Sequence, residues 1–272
     1  MPSVFRSRGR ARLIGPLLLV PAIAAATAAC TTTGAMNGST AEPEATGSVA
    51  ADPAVADGNW RREVQVAGDL YKTKPGNGDA AMRYARALRA IGQRSQAAAV
   101  LEQASIRDPK NRAVLAAFGR ALADTGNYAQ ALDVLNRAHT PDQPDWSILS
   151  VQGAVLDQMG RHEEARRYYA SALRLKPDEP LVLSNLGLSY ALSKDLKQAE
   201  ATLRRAAGGG KIDPRVRQNL ALVVGLQGRF AEAETIARAD LPSEEAAANV
   251  AYLRQMLAHP NGLARAAHPG TS

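Results

Sequence analysis

The sequence predicts an all-α fold. It is a right-handed superhelical solenoid of helix pairs, with an N-terminal capping helix and a C-terminal solvating helix. Three observations predict it. Of 272 residues, 46% are apolar but only 4% aromatic, so the apolar share is mostly aliphatic and alanine, which favours helices over sheets. From Gly78 onward the chain repeats every 34 residues. Small, large and turn-forming residues recur in register within that period, as stacked helix pairs require.

Set on Gly78, the frame gives units 78–111, 112–145, 146–179, 180–213 and 214–247 without insertion or deletion. The eighth slot holds Ala85, Gly119, Gly153, Gly187 and Ala221, and the twentieth holds Ala97, Ala131, Ala165, Ala199 and Ala233. The twenty-seventh holds Ala104, Ala138, Ala172 and Ala206 before Asp240 breaks the series. Two antiparallel helices need such small side chains where their backbones approach. Larger residues fill the holes between them. Tyr84, Phe118 and Leu186 form one series, and Leu88, Leu122, Leu156 and Tyr190 another. Leu101, Leu135, Tyr169 and Leu203 form a third, on the second helices.

The connections agree. Gly92, Gly126, Gly160 and Gly228 share one slot between the helices of a pair, where a left-handed C-cap is needed. Pro109 and Pro177 end their second helices at matching positions, and Pro75 falls at that slot one period earlier. This predicts a single capping helix from Asn59 to Tyr71. Unit four departs from the pattern, with Lys194-Asp195 in place of the glycine turn and Gly208-Gly209-Gly210 after its second helix. Unit five has Ala237 where a large residue is expected, so its second helix should pack differently. After Leu241-Pro242, Ser243 with Glu244 and Glu245 starts a closing helix expected to reach Leu257, leaving 258–272 as a flexible tail.

A 34-residue period with these slots resembles the tetratricopeptide repeat. The resemblance covers about residues 58–257, and it implies a solenoid of tetratricopeptide helix pairs that binds other proteins.

The N-terminus reads as an address. Arg6, Arg8, Arg10 and Arg12 precede an apolar stretch, Leu13 to Ala29, broken by Gly15, Pro16 and Pro21. This is too interrupted for a comfortable membrane span and fits an export signal over residues 1–29. The run Thr27-Ala28-Ala29-Cys30 resembles a lipobox, in which the cysteine carries diacylglycerol; Thr27 stands where a large aliphatic residue is usual. The alternative is an ordinary secretory signal that leaves Cys30 as a stray thiol. Lipidation is favoured, because it uses the only cysteine, and an exposed thiol in an oxidising compartment is a liability. Thr31 follows rather than Asp, and by resemblance to the lipoprotein sorting rule this directs the anchor to the outer membrane. The stretch 31–57 has no Lys or Arg and is too polar and small to bury a core. As a passive tether it spans roughly 30 Å root-mean-square.

Charge excludes one class of partner. The formal charge is +7, but four of the 33 Lys and Arg precede Cys30 and no Asp or Glu does. A chain starting at Cys30 carries 29 basic and 26 acidic side chains, a net +3, which does not suggest nucleic-acid binding.

A search for catalytic chemistry finds none. His162-Glu163-Glu164-Ala165-Arg166 begins like a zinc-peptidase helix, but the second histidine is Arg166. Gly208-Gly209-Gly210-Lys211 lacks the spacing, hydroxyl residue and preceding strand of a phosphate loop. His139, His162, His259 and His268 do not cluster with cysteines or carboxylates at ligand spacing, and no nucleophile motif is present. No catalytic residue, metal or cofactor is expected.

The first helices of stacked pairs line a groove. Asn185 and Asn219 occupy equivalent slots there. Their amides either grip the backbone of an extended peptide or tie neighbouring helices together, and the sequence leaves both readings open. Arg83, Arg86, Arg89 and Arg120 either make the first end of the groove basic, suited to an acidic segment or a C-terminal carboxylate, or form a solvated charged helix face. Trp60 and Trp146, at unit edges, read as packing residues.

The stretch Asp213–Leu257 is more specific than the repeat slots. Its RVRQNLAL, GRF-x-EAE and ARADLP-x-x-x-AAANVAYLR segments, with the lipobox, resemble the TadD family, the tetratricopeptide lipoproteins of Tad/Flp pilus assembly systems. The resemblance implies a non-enzymatic lipoprotein facing the periplasm from the outer membrane. Such a protein serves Flp (type IVc) pilus assembly as a pilotin-like factor and has the secretin or another Tad component as partner. The alternatives are a general cell-envelope tetratricopeptide lipoprotein serving another pilus, peptidoglycan or outer-membrane machine, and an envelope hydrolase with a degenerate site. The last would need a polar cleft uniting His139 and His162 with carboxylates.

Overall fold

The computed structural model describes residues 57–209 and 212–258. The expected signal peptide, Cys30, the tether as far as residue 56, Gly210, Lys211, His259 and His268 lie outside the described residues. The described residues as far as Arg254 belong to one compact unit; of a second, only the last turn of the final helix, from Gln255, is described.

Twelve helices and no strand occur among the described residues. The capping helix α1 runs Asp57–Thr73. The first helices of the pairs are α2 (Gly78–Ala90), α4 (Arg112–Asp124), α6 (Trp146–Gln158), α8 (Pro180–Leu192) and α10 (Pro214–Leu226). The second helices are α3 (Arg94–Arg107), α5 (Tyr128–Ala138), α7 (His162–Leu175), α9 (Leu196–Ala206) and α11 (Phe230–Ala237). The closing helix α12 runs Ser243–Ala258. Every first helix begins where the sequence frame places it and is 13 residues long. Capping fixes the start of four of them. Asn77, Asn111, Asp145 and Asp213 each accept a bond from a backbone N–H of the first turn. In α8, Pro180 at the first turn takes over, its missing N–H being one that needs no partner there.

The glycine turns close as expected. In unit one, Gln93 N–H donates to the Leu88 carbonyl at 2.8 Å and Gly92 N–H to that of Arg89 at 3.0 Å, with Gly92 at φ +79°. This crossed pair of bonds satisfies the last carbonyls of the helix and needs a left-handed residue. Unit four builds the same turn without glycine: Asp195 N–H donates to the Tyr190 carbonyl at 2.9 Å, and Lys194 takes φ +65°. The departure read in the sequence is therefore one of side chain, not of backbone.

The core lies between the paired helices. Ala97, Ala131, Ala165, Ala199 and Ala233 are fully buried, as are Leu101, Leu135, Tyr169 and Leu203. The eighth slot shows why it must be small. A Cβ added to Gly119, Gly153 or Gly187 would sit 2.5, 2.6 or 2.7 Å from Leu135, Tyr169 or Leu203, the large residue opposite it in the same unit. At the start of the array, α1 stacks Tyr71 on Tyr84 with ring centroids 5.8 Å apart. In unit five Ala237 is small, α11 is the shortest helix, and Ala246 of α12 joins Ala221 and Ala237. The odd packing expected there is this intrusion of the closing helix. Asp240, at the slot held by alanine elsewhere, pairs with Arg217.

One slot of the large-residue series is polar in unit three. Gln152 stands in the series of Tyr84, Phe118 and Leu186, is fully buried, and donates to Asn136 at 2.7 Å. Among the described residues, no helix is long and apolar enough to cross a membrane.

Candidate functional site

The side of the array that faces a partner follows from which helices touch. Consecutive first helices contact one another (α2 with α4, α4 with α6, α6 with α8, α8 with α10), whereas consecutive second helices do not. The row whose members stand closer together lies inside the bend, so the first helices line the concave face. At 100° per residue, slots 4, 8 and 11 point to the second helix. The opposite face carries slots 2, 6, 9 and 13, with slot 5 at its edge.

The predicted groove residues can now be placed. Asn185 Nδ2 donates to Ser150 Oγ at 3.3 Å, and Asn219 Nδ2 to Ser184 Oγ at 2.9 Å. Each tie runs from slot 6 of one unit to slot 5 of the unit before it. Both amides hold neighbouring helices together, and both residues stay half-buried. The arginines differ among themselves. Arg83 makes a two-pronged pair with Glu63 of α1, at 2.6 and 3.1 Å. Arg89 pairs with Asp124 of the next first helix at 2.5 Å, largely out of solvent. Arg120 donates to Ser147 Oγ at 3.1 Å. Arg86 is exposed on the groove face. Burial works against the Asp145 charge, yet its bonds from Ser147 and Ile148, with the Arg120 charge nearby, hold that carboxyl below its usual range. Arg83 and Arg89 thus serve as charge-paired ties between helices, Arg120 ties α4 to Ser147 of α6, and Arg86 and Arg120 are the slot-9 basic residues of the face.

One buried polar cluster was not expected from the sequence. Asp157, at slot 12 of α6, is 8% exposed. It accepts from Tyr169 Oη at 2.9 Å and Ser189 Oγ at 2.8 Å, and His162 Nδ1 lies 2.8 Å away. Three helices, α6, α7 and α8, meet on this one carboxyl. Burial, then the Asp157 charge and bond, push the Tyr169 hydroxyl well above its ordinary pKa. His162 joins a carboxyl here, but His139, at the end of α5, is no part of the cluster. Ser189 is fully buried with its hydroxyl turned onto Asp157, so it cannot meet a substrate. Among the described residues, no three His, Cys, Asp or Glu side chains are grouped to hold a metal ion. No sequence signal marked Asp157, because its partners arrive from three helices.

Comparisons with known proteins agree with this architecture. Family models described as tetratricopeptide repeat match residues 54–117, 92–150, 151–216 and 214–239. The chain belongs to the tetratricopeptide repeat family, whose helix pairs form protein-interaction scaffolds that are typically non-enzymatic. No curated protein matches it. Among solved structures it is similar to PilW, titled a widely conserved type IV pilus biogenesis factor, at 18% identity and TM-score 0.61, over 71% of this chain and 91% of that one. It is similar to Pseudomonas aeruginosa pilF at 19% identity and TM-score 0.50, over 76% and 87%. A third similar structure is the APC/C hetero-tetramer Cut9–Hcn1, at 17% identity and TM-score 0.57; there the match covers 73% of this chain but only 41% of the other. At such identities the likeness is one of fold.

Proposed function

We propose that the protein is a TadD-type lipoprotein: a non-enzymatic, pilotin-like scaffold of Tad/Flp (type IVc) pilus assembly and secretion. Lipid on Cys30 holds it to the periplasmic face of the outer membrane. The repeat groove holds the secretin or another Tad component. The observation that carries this reading is the stretch Asp213–Leu257, whose segments resemble that family beyond the common repeat slots, in a chain with a lipobox-like run at Cys30. The concave row of first helices supplies a surface for a protein segment, and the role of the similar PilW as a type IV pilus biogenesis factor accords with a pilus role. Anchoring needs the full N-terminal modification, since a single acyl chain binds membranes only marginally, at about 10⁴ M⁻¹.

Crosslinking in cells followed by identification of the captured protein tests the partner. The expected capture is the secretin or another Tad component. Capture of a peptidoglycan or outer-membrane assembly protein would favour the general envelope scaffold instead. Cys30→Ser is expected to move the protein from the membrane to the soluble periplasmic fraction, and an unchanged membrane fraction would remove the lipid anchor from the reading.

A further inference from the structure

The groove face is not uniform along its length. Its slot 9 reads Arg86, Arg120, Ala154, Leu188 and Leu222 from the first unit to the fifth. The basic half ends at unit two and the aliphatic half begins at unit four. Leu188 has Leu192 one turn further along α8, on the same face. Leu192 is 56% and Leu222 42% exposed, and they stand on adjacent first helices that touch. Large aliphatic side chains held open in a row, rather than scattered, mark a contact surface. On slots 2, 5, 6, 9 and 13, units four and five hold one charged residue, Arg215, which pairs with Asp213, whereas units one and two hold Arg83, Arg86 and Arg120 against Asp79 and Asp124.

We propose that the concave face binds an extended segment of a partner protein with two chemically distinct ends. Aliphatic side chains seat on Leu188, Leu192 and Leu222, and carboxylates face Arg86 and Arg120. This rests on the scaffold reading and adds to it the chemistry and direction of the bound segment. Arg86 and Arg120 also make interactions within the array; what selects the segment is the sign of their charge on slot 9 at one end, where the other end carries leucine. Ser150, Ser184, Asn185 and Asn219 form the floor between neighbouring units, and the free sides of the two amides can bond the segment's backbone without reading its sequence. Packed helix axes lie about 10 Å apart. Arg120 and Leu188, two units apart, are then separated by about 20 Å. At about 3.3 Å per residue, that is roughly six residues of extended chain between the acidic and aliphatic groups.

The test is a random twelve-residue peptide library displayed on phage, selected on the full-length protein and counter-selected on the Leu192→Ser/Leu222→Ser variant. Both substitutions are at exposed positions, and circular dichroism checks that the variant is folded. The expected winners carry two or more large aliphatic residues and, roughly six positions away, Asp or Glu. They should lose at least tenfold in affinity on Leu192→Ser/Leu222→Ser. On Arg86→Glu, winners should lose affinity while versions with the acids changed to Lys regain it. Winners lacking either group, winners indifferent to these substitutions, or no enrichment at all overturn the proposal. None of these results touches the scaffold reading itself, which stands or falls on the in-cell crosslinking.

Discussion

A single glycine decides how closely α6 and α7 can approach. Gly153 faces Tyr169, and a Cβ there would lie 2.6 Å from the ring. Opposite Gly119 and Gly187 the facing residue is a leucine that can turn aside; Tyr169 is held by its bond to Asp157. Gly153→Ala is therefore expected to destabilise the array by about 1–3 kcal/mol, an overpacking cost. Urea denaturation measures it, and an unchanged midpoint would show that the tyrosine yields. Lys194 illustrates the opposite case. A non-glycine residue at φ +65° carries a left-handed cost of roughly 1–2 kcal/mol, with nothing in the turn that requires its side chain. Lys194→Gly is expected to raise the melting temperature, less than that cost alone would imply because glycine also loses more entropy on folding. A lower melting temperature would mean the lysine contributes contacts of its own.

Between helices, charge groups do what the small slots cannot. Glu200 of α9 accepts from Gln227 at 2.8 Å and Arg229 at 2.7 Å, and Arg204 joins it to Glu232 of α11. Burial opposes ionisation, but these three donors prevail and lower the Glu200 pKa from 4.5 to about 2. A folded-state value below the unfolded one means stability that is fully present above about pH 4.5 and lost as pH falls through about 2. Denaturation midpoints of wild type and Glu200→Gln should differ by a constant amount above pH 5 and converge towards pH 2. A difference that persists at pH 2 would assign the effect to geometry rather than charge. Exposed pairs elsewhere in the array, such as Arg161 with Glu164, contribute little by comparison.

Across the array, stability is a sum of units and of the joints between them. The Asn185–Ser150 and Asn219–Ser184 bonds are two such joints, repeated one period apart. Asn185→Ala with Asn219→Ala is expected to cost about 1 kcal/mol per bond and to broaden the unfolding transition as units four and five uncouple. A transition as sharp as wild type would place the coupling elsewhere, with the Asp157 cluster the next joint to examine. The tetratricopeptide frame itself was readable in one dimension. Gly78, Arg112, Trp146, Pro180 and Pro214 begin helices because capping residues and small slots are local, periodic and sterically obligatory. The roles of Asn185, Arg83 and Arg89 were not readable, since each depends on a partner more than 19 residues away in sequence. Asp157 carries no periodic signal, because the slot-12 position is arginine, alanine or glycine in the other units.

Spacing along the chain was enough to establish the number of units, their boundaries, the turn slots and the face on which each residue sits, because helical periodicity converts position directly into direction. Which polar groups meet across units came from the stacking in space. The rotation between units selects whether a groove asparagine faces a serine or open solvent, and no periodicity encodes that angle. The same stacking brought the leucines of α8 and α10 side by side and set the arginines of α2 and α4 at the far end.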